Sequence, residues 1–533
     1  MAILKEVTPQ PDFLTSPIIQ IRGQSNYYYP DRRLSPENTE TLSNINLTER
    51  GAARRRNGYS KYNTNNFSED GAVAVTGLAQ VKFSSGTTEQ VVCSGTKVHI
   101  LSSGSGAATE KTGSLSLTNT PNSRYKFAFI QNQLIATNGE DETWTYTGSG
   151  NAAQLGGILW TKCRDVVIHK NLLFALNTTE SSVNYPTRVR WCDVTLGDFG
   201  ITVTEWPTDN KVEVQENGPA ILAGADLIDF FAVVKEDGVH LLKVGMEHGF
   251  IEALPHRALT GAFSPVAKNG ILQSPHFGLW IIADDGAYVV NLSGDQINAK
   301  LVTEGIQSEW NALNETRIQQ AVSWIREKDH QVRTLLSASG QTNGHNRILV
   351  WDWQTGDVWF DTPSDPMNYA VSAKFSNVEY DFLGSFDGYV HQGNDSSETQ
   401  DDNTDFTWTI AMSPNDLGSP GVDKTIHKVI THFITQKGSQ SCSFTTFLNE
   451  GRLASASETI TVGSTVNWNG AGNLWDRGSP WQGETSDIHP SFINRTAQTV
   501  APQWTGTSLY EIKGYQVTYA PVEERGAARR RTG

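Results

Sequence analysis

Between Leu279 and Leu292 (LWIIADDGAYVVNL), two alternating apolar runs flank an Asp285-Gly286 pair. Alternation of period two places successive side chains on opposite faces of a strand, and Asp-Gly between two such runs predicts a β-hairpin. The pattern returns at Phe230 to Val244 (FFAVVKEDGVHLLKV) and at Asp381 to Gln392 (DFLGSFDGYVHQ). Looser copies lie at Val91 to Leu101, Ile130 to Tyr146, Val166 to Trp191 and Ile348 to Phe360. Gly95, Gly139, Gly238, Gly286, Gly356 and Gly388 mark the turns, with Val166 to Trp191 as an unmarked copy. Most intervals are about 45 to 50 residues, roughly the period of a four-stranded propeller blade.

This periodicity predicts a β-propeller over residues 71–393, with about six or seven blades. Residues 1–70 carry no blade and are expected to form an N-terminal arm whose strands pack on a C-terminal β domain at 406–533. That domain shows longer alternating runs, at Phe406 to Met412, Lys424 to Thr435, Ser443 to Leu448, Thr459 to Val462 and Tyr510 to Tyr519. They predict a β-sandwich-like or barrel-like fold, ending in a basic tail. The run at 394–405 has no apolar side chain and reads as an acidic, solvated linker; it misses the spacing of an EF-hand calcium loop. Ile306 to Gln319 is the one segment with helical spacing, placing Ile306, Trp310, Leu313 and Ile318 on one face. Asn467 to Asn494, rich in Gly, Trp and Pro, reads as a long functional loop.

Composition supports an all-β chain of two or three domains: among 533 residues there are 47 glycines, 15 tryptophans and 15 tyrosines, and helical periodicity is scarce. No run of about 18 apolar residues is present, and the N-terminus lacks signal-peptide character, so synthesis in the cytoplasm is expected. Cys93, Cys163, Cys192 and Cys442 have no CxxC spacing and are expected as buried free thiols. A formal net charge of -15 disfavours tight nucleic-acid binding, which needs cations to displace phosphate counterions.

Glu37 to Tyr62 (ENTETLSNINLTERGAARRRNGYSKY) runs from an acidic-polar lead through Asn44 and Asn46 to a basic run and Gly58-Tyr59. Together with Gly261 to Pro265 before the Leu279 hairpin, and the Ile306 helix before the strand Ala321 to Ile325, this order resembles the tail nozzle, or lower tail-tube, proteins of short-tailed bacteriophages. The resemblance implies a structural virion protein at the end of a phage tail, made in the bacterial host. It further implies a homo-oligomer, a hexameric ring, joined to tail adaptor proteins, tail fibres or a tip. DNA would pass through its channel during ejection without tight binding. The charge balance then predicts a lumen lined by acidic and neutral groups, with Asp395 to Asp405 as a candidate near it.

One feature is independent of any family. The octapeptide ERGAARRR occurs twice, at Glu49 to Arg56 and at Glu524 to Arg531. Arginine forks pair with carboxylate or phosphate bidentately. Arg54, Arg55, Arg56, Arg529, Arg530 and Arg531 are therefore candidates for subunit or ring interfaces, set against the alternative of two exposed segments without a shared role.

Candidate chemistry is sparse. HExxH, GxSxG, a Walker loop and the Asp-box repeat are all missing, and His427 and His432 fall on opposite faces of one strand. Glu247, His248 and His256 sit in loops without a visible partner. No enzyme activity, cofactor or metal site is expected. The alternative to the nozzle is a WD40-like interaction scaffold, suggested by Trp351-Asp352 and Thr355-Gly356, but that signature occurs once where several blades should carry it.

Overall fold

The computed structural model of the chain describes residues 13–25, 36–48, 52–63, 65–67, 73–102, 106–194, 201–244, 257–260, 262–293, 296–375, 378–393, 398–434, 440–451, 453–455, 457–462, 486–508 and 511–522. It divides into two compact units, Asn57–Thr404 and Met1–Arg56 with Asp405–Gly533.

The larger unit consists chiefly of seven four-stranded antiparallel sheets taken in chain order. The first is Val75–Lys82, Thr88–Ser94, Lys97–Leu101 and Ala108–Glu110; the second begins at Lys126–Ile130 and the third at Lys162–His169. The fourth, fifth and sixth begin at Ile221–Leu227, Leu272–Ser274 and Val322–Arg326. The seventh joins Met367–Phe375, Val378–Ser385 and Val390–Gly393 to Tyr59–Lys61, a strand far upstream in sequence, with His391 opposite Lys61 and Gly393 opposite Tyr59. Each sheet is open, its ladder running from one edge strand to another, and none closes on itself. The closed β-propeller expected from the hairpin period is therefore corrected to a series of open sheets. A period of hairpins encodes the four-stranded unit, which local alternation and turns can specify; closure depends on contacts the pattern does not contain.

The hairpins owe their turns to particular residues. Lys235 pairs with Gly238, so Glu236 and Asp237 form the two-residue turn and Gly238 opens the return strand. In the Leu279 hairpin Ile282 pairs with Ala287, and the Ala283 amide donates to the Gly286 carbonyl at 2.9 Å. At Trp351-Asp352 the Asp352 carboxylate accepts from the Gln354 and Thr355 amides at 2.8 and 3.0 Å, nucleating the turn that the sequence signature marked.

Between sheets the core is aromatic. Phe174 of the third sheet stacks on Phe231 of the fourth with centroids 4.5 Å apart, and Trp280 of the fifth stacks on Trp351 of the sixth at 5.2 Å. Such pairs contribute about 0.5–1.5 kcal/mol beyond their area burial. The segment expected as one helix is broken into a 3-10 turn Thr303–Ile306 and helices Gln307–Asn311 and Glu315–Ile318. Extended backbone at Asn314, whose amide donates to the Ser337 carbonyl at 2.8 Å, makes the break. Ile306, Trp310, Leu313 and Ile318 are all buried, as their spacing requires.

The smaller unit has two six-stranded open sheets. One contains Ile45–Leu47, Ala53–Arg55, Glu511–Pro521, Lys424–Ile434 and Ser486–Ala497, with Leu14–Thr15 added on Glu511–Pro521. The other holds Thr39–Ser43 beside Trp408–Met412 and continues through Val500–Gly506 and Gln440–Leu448. Strands from the N-terminal stretch thus pair directly with strands from the C-terminal one. The sheets meet where Trp504 donates its indole N–H to the Thr431 hydroxyl at 3.1 Å and packs on Tyr515. A barrel is excluded by the open ladders. Ser486–Ala497 occupies the end of the stretch expected as a long loop; Pro490 is tolerated because this is an edge strand. Residues 463–485 lie outside the described residues.

Candidate functional site

Two hairpin turns of the larger unit bring carboxylates together. Glu236 and Asp237 cap the fourth sheet, Asp284 and Asp285 cap the fifth, and Glu315 opens the short helix that follows. Glu236, Asp237, Asp284 and Asp285 line a cavity of about 480 Å³ with Phe263 and Ser264. Asp284 and Asp285 also line an adjoining one of about 620 Å³ with Glu315, Thr316 and Gln319. The floor is rigid. Phe263 stacks on Tyr288 at 4.7 Å, and the Tyr288 hydroxyl donates to Asp285 at 2.7 Å. Burial, then the hydrogen bond to Asp285, raises the phenol well above its ordinary pKa, so it stays a donor. The Trp310 indole and Gln307 amide hold the Asp284 and Asp285 carbonyls at 3.2 and 2.8 Å.

The acidic side chains are short of cations. Asp237 meets His240 at 3.2 Å, and Arg164 and Lys235 act electrostatically on Glu236 and Asp237, but among the described residues no lysine or arginine pairs with Asp284, Asp285 or Glu315. A groove of like charges on a fixed frame favours a cationic ligand, guanidinium above all because its fork matches carboxylate geometry.

A second polar cluster lies where leading strands approach one another. Lys268 donates to the carbonyls of Arg124 and Asn138 at 2.8 and 3.0 Å. Burial pushes its ammonium down to about 7, the nearby Asp165 working against that shift. Asp165 accepts from the Val166 and Gly224 amides, both at 2.9 Å, while its burial raises its pKa. Tied to two carbonyls, Lys268 is placed to join sheets rather than to attack a substrate. His169 pairs with Asp226 at 2.7 Å, yet its side chain is fully buried among Phe174 and Phe231. The four cysteines are free and buried, and burial pushes the Cys163 and Cys192 thiols up to about 12 and about 11, away from nucleophilic use.

The arginine candidates are placed as follows. Arg55 and Arg56 are buried in the smaller unit, their guanidinium carbons 4.0 and 3.9 Å from the Phe406 ring centroid. Arg56 also donates to Asn44 at 2.9 Å, and Asn44, at φ 57°, donates to the Thr407 carbonyl. Arg54 is half-buried and pairs in register with Asn46 and Glu511. The described part of the first octapeptide copy thus carries a packed strand, Ala53–Arg55. Arg529, Arg530 and Arg531 lie outside the described residues, as do Glu247, His248 and His256. His427 and His432 are separated, hydrogen-bonded to Asn494 and Gln516. The acidic groove is missed from sequence because Asp237, Asp284 and Asp285 read there as turn residues. The recurrence of acidic pairs at successive hairpin turns was the available signal.

No protein-family model and no curated protein matches the chain. Among solved structures it is similar to one described as the extracellular domain of a hybrid two component system of B. thetaiotaomicron. The identity is 11%, the TM-score 0.42, and the match covers 70% of this chain and 42% of that one. It is also similar to the Pan2 WD40 domain of Neurospora crassa, with 9% identity, a TM-score of 0.40, and coverage of 66% and 99%. Likenesses at this level carry no functional argument. The expectation of a phage tail nozzle is corrected here: the open sheets show no channel-like ring, and none of these matches supports a nozzle. They give the WD40-like scaffold no support either.

Proposed function

We propose that the chain is a non-catalytic assembly protein that forms homo-oligomers by binding a guanidinium-rich segment in its acidic groove. The observation that carries this reading is the set of carboxylates at Asp284, Asp285 and Glu315, which no lysine or arginine among the described residues neutralises, beside Glu236, which has only Arg164 near it. The segment Glu524 to Arg531 of a neighbouring copy supplies the matching charge in its three consecutive arginines. Exposed ion pairs are worth only about 0.2–1 kcal/mol each, so several must act together on a partly desolvated floor.

A fluorescent peptide of sequence ERGAARRR, titrated against the full chain at low and physiological salt, tests the groove. Saturable binding, weakened by salt and by a combined Glu236→Gln, Asp284→Asn, Glu315→Gln variant, is expected. Binding that the variant leaves unchanged would refute the assignment.

A further inference from the structure

The seam that completes the seventh sheet holds a cluster with different chemistry. Asp365 lies in the loop before Met367–Phe375, His391 on Val390–Gly393, and Asp402 in the stretch that follows. One ligand atom from each lies within 4.8 Å of the other two. His391 is 1% exposed, and neither ring nitrogen has a hydrogen-bond partner; Nε2 stands 4.0 Å from Asp365 Oδ2. A buried imidazole with both nitrogens unpaired is costly, because buried polar groups are almost always satisfied. The two carboxylates are meanwhile oriented from behind. The Tyr59 hydroxyl lies 3.3 Å from Asp365 Oδ2 and accepts the Asp365 amide at 2.9 Å, while Lys61 pairs with Asp402 Oδ2 at 2.7 Å, leaving that carboxylate's other oxygen available.

We infer that Asp365, His391 and Asp402 form a binding site for a divalent transition-metal cation, of which Zn²⁺ is the best match. One imidazole nitrogen and two carboxylate oxygens suit zinc, whereas calcium requires six to eight oxygens. Zinc bonds to such atoms are about 2.0–2.2 Å, which sets ligand atoms roughly 3.4 Å apart in a tetrahedron. Rotation of the partly exposed Asp365 and Asp402 side chains achieves that contraction, and water completes the coordination. Tyr59 and Lys61 then act as outer partners that fix the ligands.

The placement gives the ion a role. Tyr59–Lys61 enters the larger unit and Asp402 lies just before Thr404, where that unit ends. The Gly58 and Tyr59 amides donate to the Glu398 and Gln400 carbonyls, and the Asp402 amide donates to the Tyr59 carbonyl at 2.7 Å. The stretch at 398–404, expected as a solvated linker, is in fact folded onto this strand, with Asp401 fully buried and holding Ser364. A cation on Asp365, His391 and Asp402 clasps the entering strand, the leaving stretch and the sheet between them.

The test uses the full chain, dialysed against a chelator and titrated with Zn²⁺ by calorimetry, beside Asp365→Asn and Asp402→Asn. One saturable ion per chain is expected, with affinity falling about tenfold or more in both variants. X-ray absorption of the zinc-loaded wild type should show nitrogen and oxygen ligation without sulfur, which keeps the site testable should a variant fail to fold. Absence of saturable binding, affinity unchanged in either variant, or sulfur ligation would overturn the proposal.

Discussion

Arg124 and Asn368, separated by 244 positions in sequence, are joined twice: Nη2 donates to the Asn368 side-chain oxygen at 2.6 Å and Nε to its carbonyl at 2.9 Å. Asn368 also donates to the carbonyls of Val75 and Pro121, so one amide connects the first and seventh sheets to the segment before the second. Replacing Asn368 by Ala removes one acceptor from the buried Arg124 guanidinium, which keeps the backbone carbonyl and its contact with His345, and strips two carbonyls of their side-chain donor; a loss of about 1–3 kcal/mol is expected. Urea unfolding of the larger unit measures it; an unshifted midpoint would show that the junction adds no stability.

Stability should fall in mild acid. Burial depresses the pKa values of His99, His169 and His345, with Arg124 adding to the effect on His345. The unfolded chain binds protons at these sites below about 6.5 while the folded chain stays neutral, so folding stability is full above that pH. It declines as pH falls toward the folded-state values, by at most about 1.4 kcal/mol per pH unit for each histidine. Thermal unfolding between pH 8 and 5 should show this decline, and His345→Gln should reduce its slope; a flat profile would contradict the buried, neutral state.

Phe406 is stacked against Arg55 and Arg56. Phe406→Leu keeps most of the buried volume but removes the cation-π contacts, at a cost of about 1–2 kcal/mol, whereas Phe406→Ala should cost about 3–5 kcal/mol. A Phe406→Leu variant as stable as the wild type in denaturant unfolding would mean that the arginines gain nothing from the ring.

Gly58 stands where two backbones touch. A Cβ there would lie 1.9 Å from the Gln400 carbonyl oxygen, too close for any relaxation short of parting the strands. Gly58→Ala should therefore destabilise the seam and speed amide exchange at Tyr59 and Tyr62. Gly356→Ala, at φ 80° with open space around it, should cost only about 1 kcal/mol of backbone strain and leave those amides unchanged. Hydrogen exchange separates the two; matching profiles would refute the close approach.

What the sequence revealed was local. Alternation marked the hairpins because a strand exposes its period directly, and Ile306, Trp310, Leu313 and Ile318 announced a buried face although not the break at Asn314. The arginine run suggested a subunit or ring interface, with an exposed segment as the alternative; the burial of Arg55 and Arg56 depends on Phe406, some 350 positions away. Asp365, His391 and Asp402 carry no motif, since their proximity arises only when Tyr59–Lys61 completes the seventh sheet. Closure was equally out of reach, because a repeat of hairpins is compatible with any arrangement of the sheets it builds.

Native mass measurement of the full chain at low and high salt tests the assembly reading most directly. The account predicts a species at a multiple of the 58.6 kDa chain mass, dissociating with salt and lost on replacing Arg529, Arg530 and Arg531 by Ala. A monomer under all conditions, or an oligomer indifferent to both salt and that substitution, would contradict it.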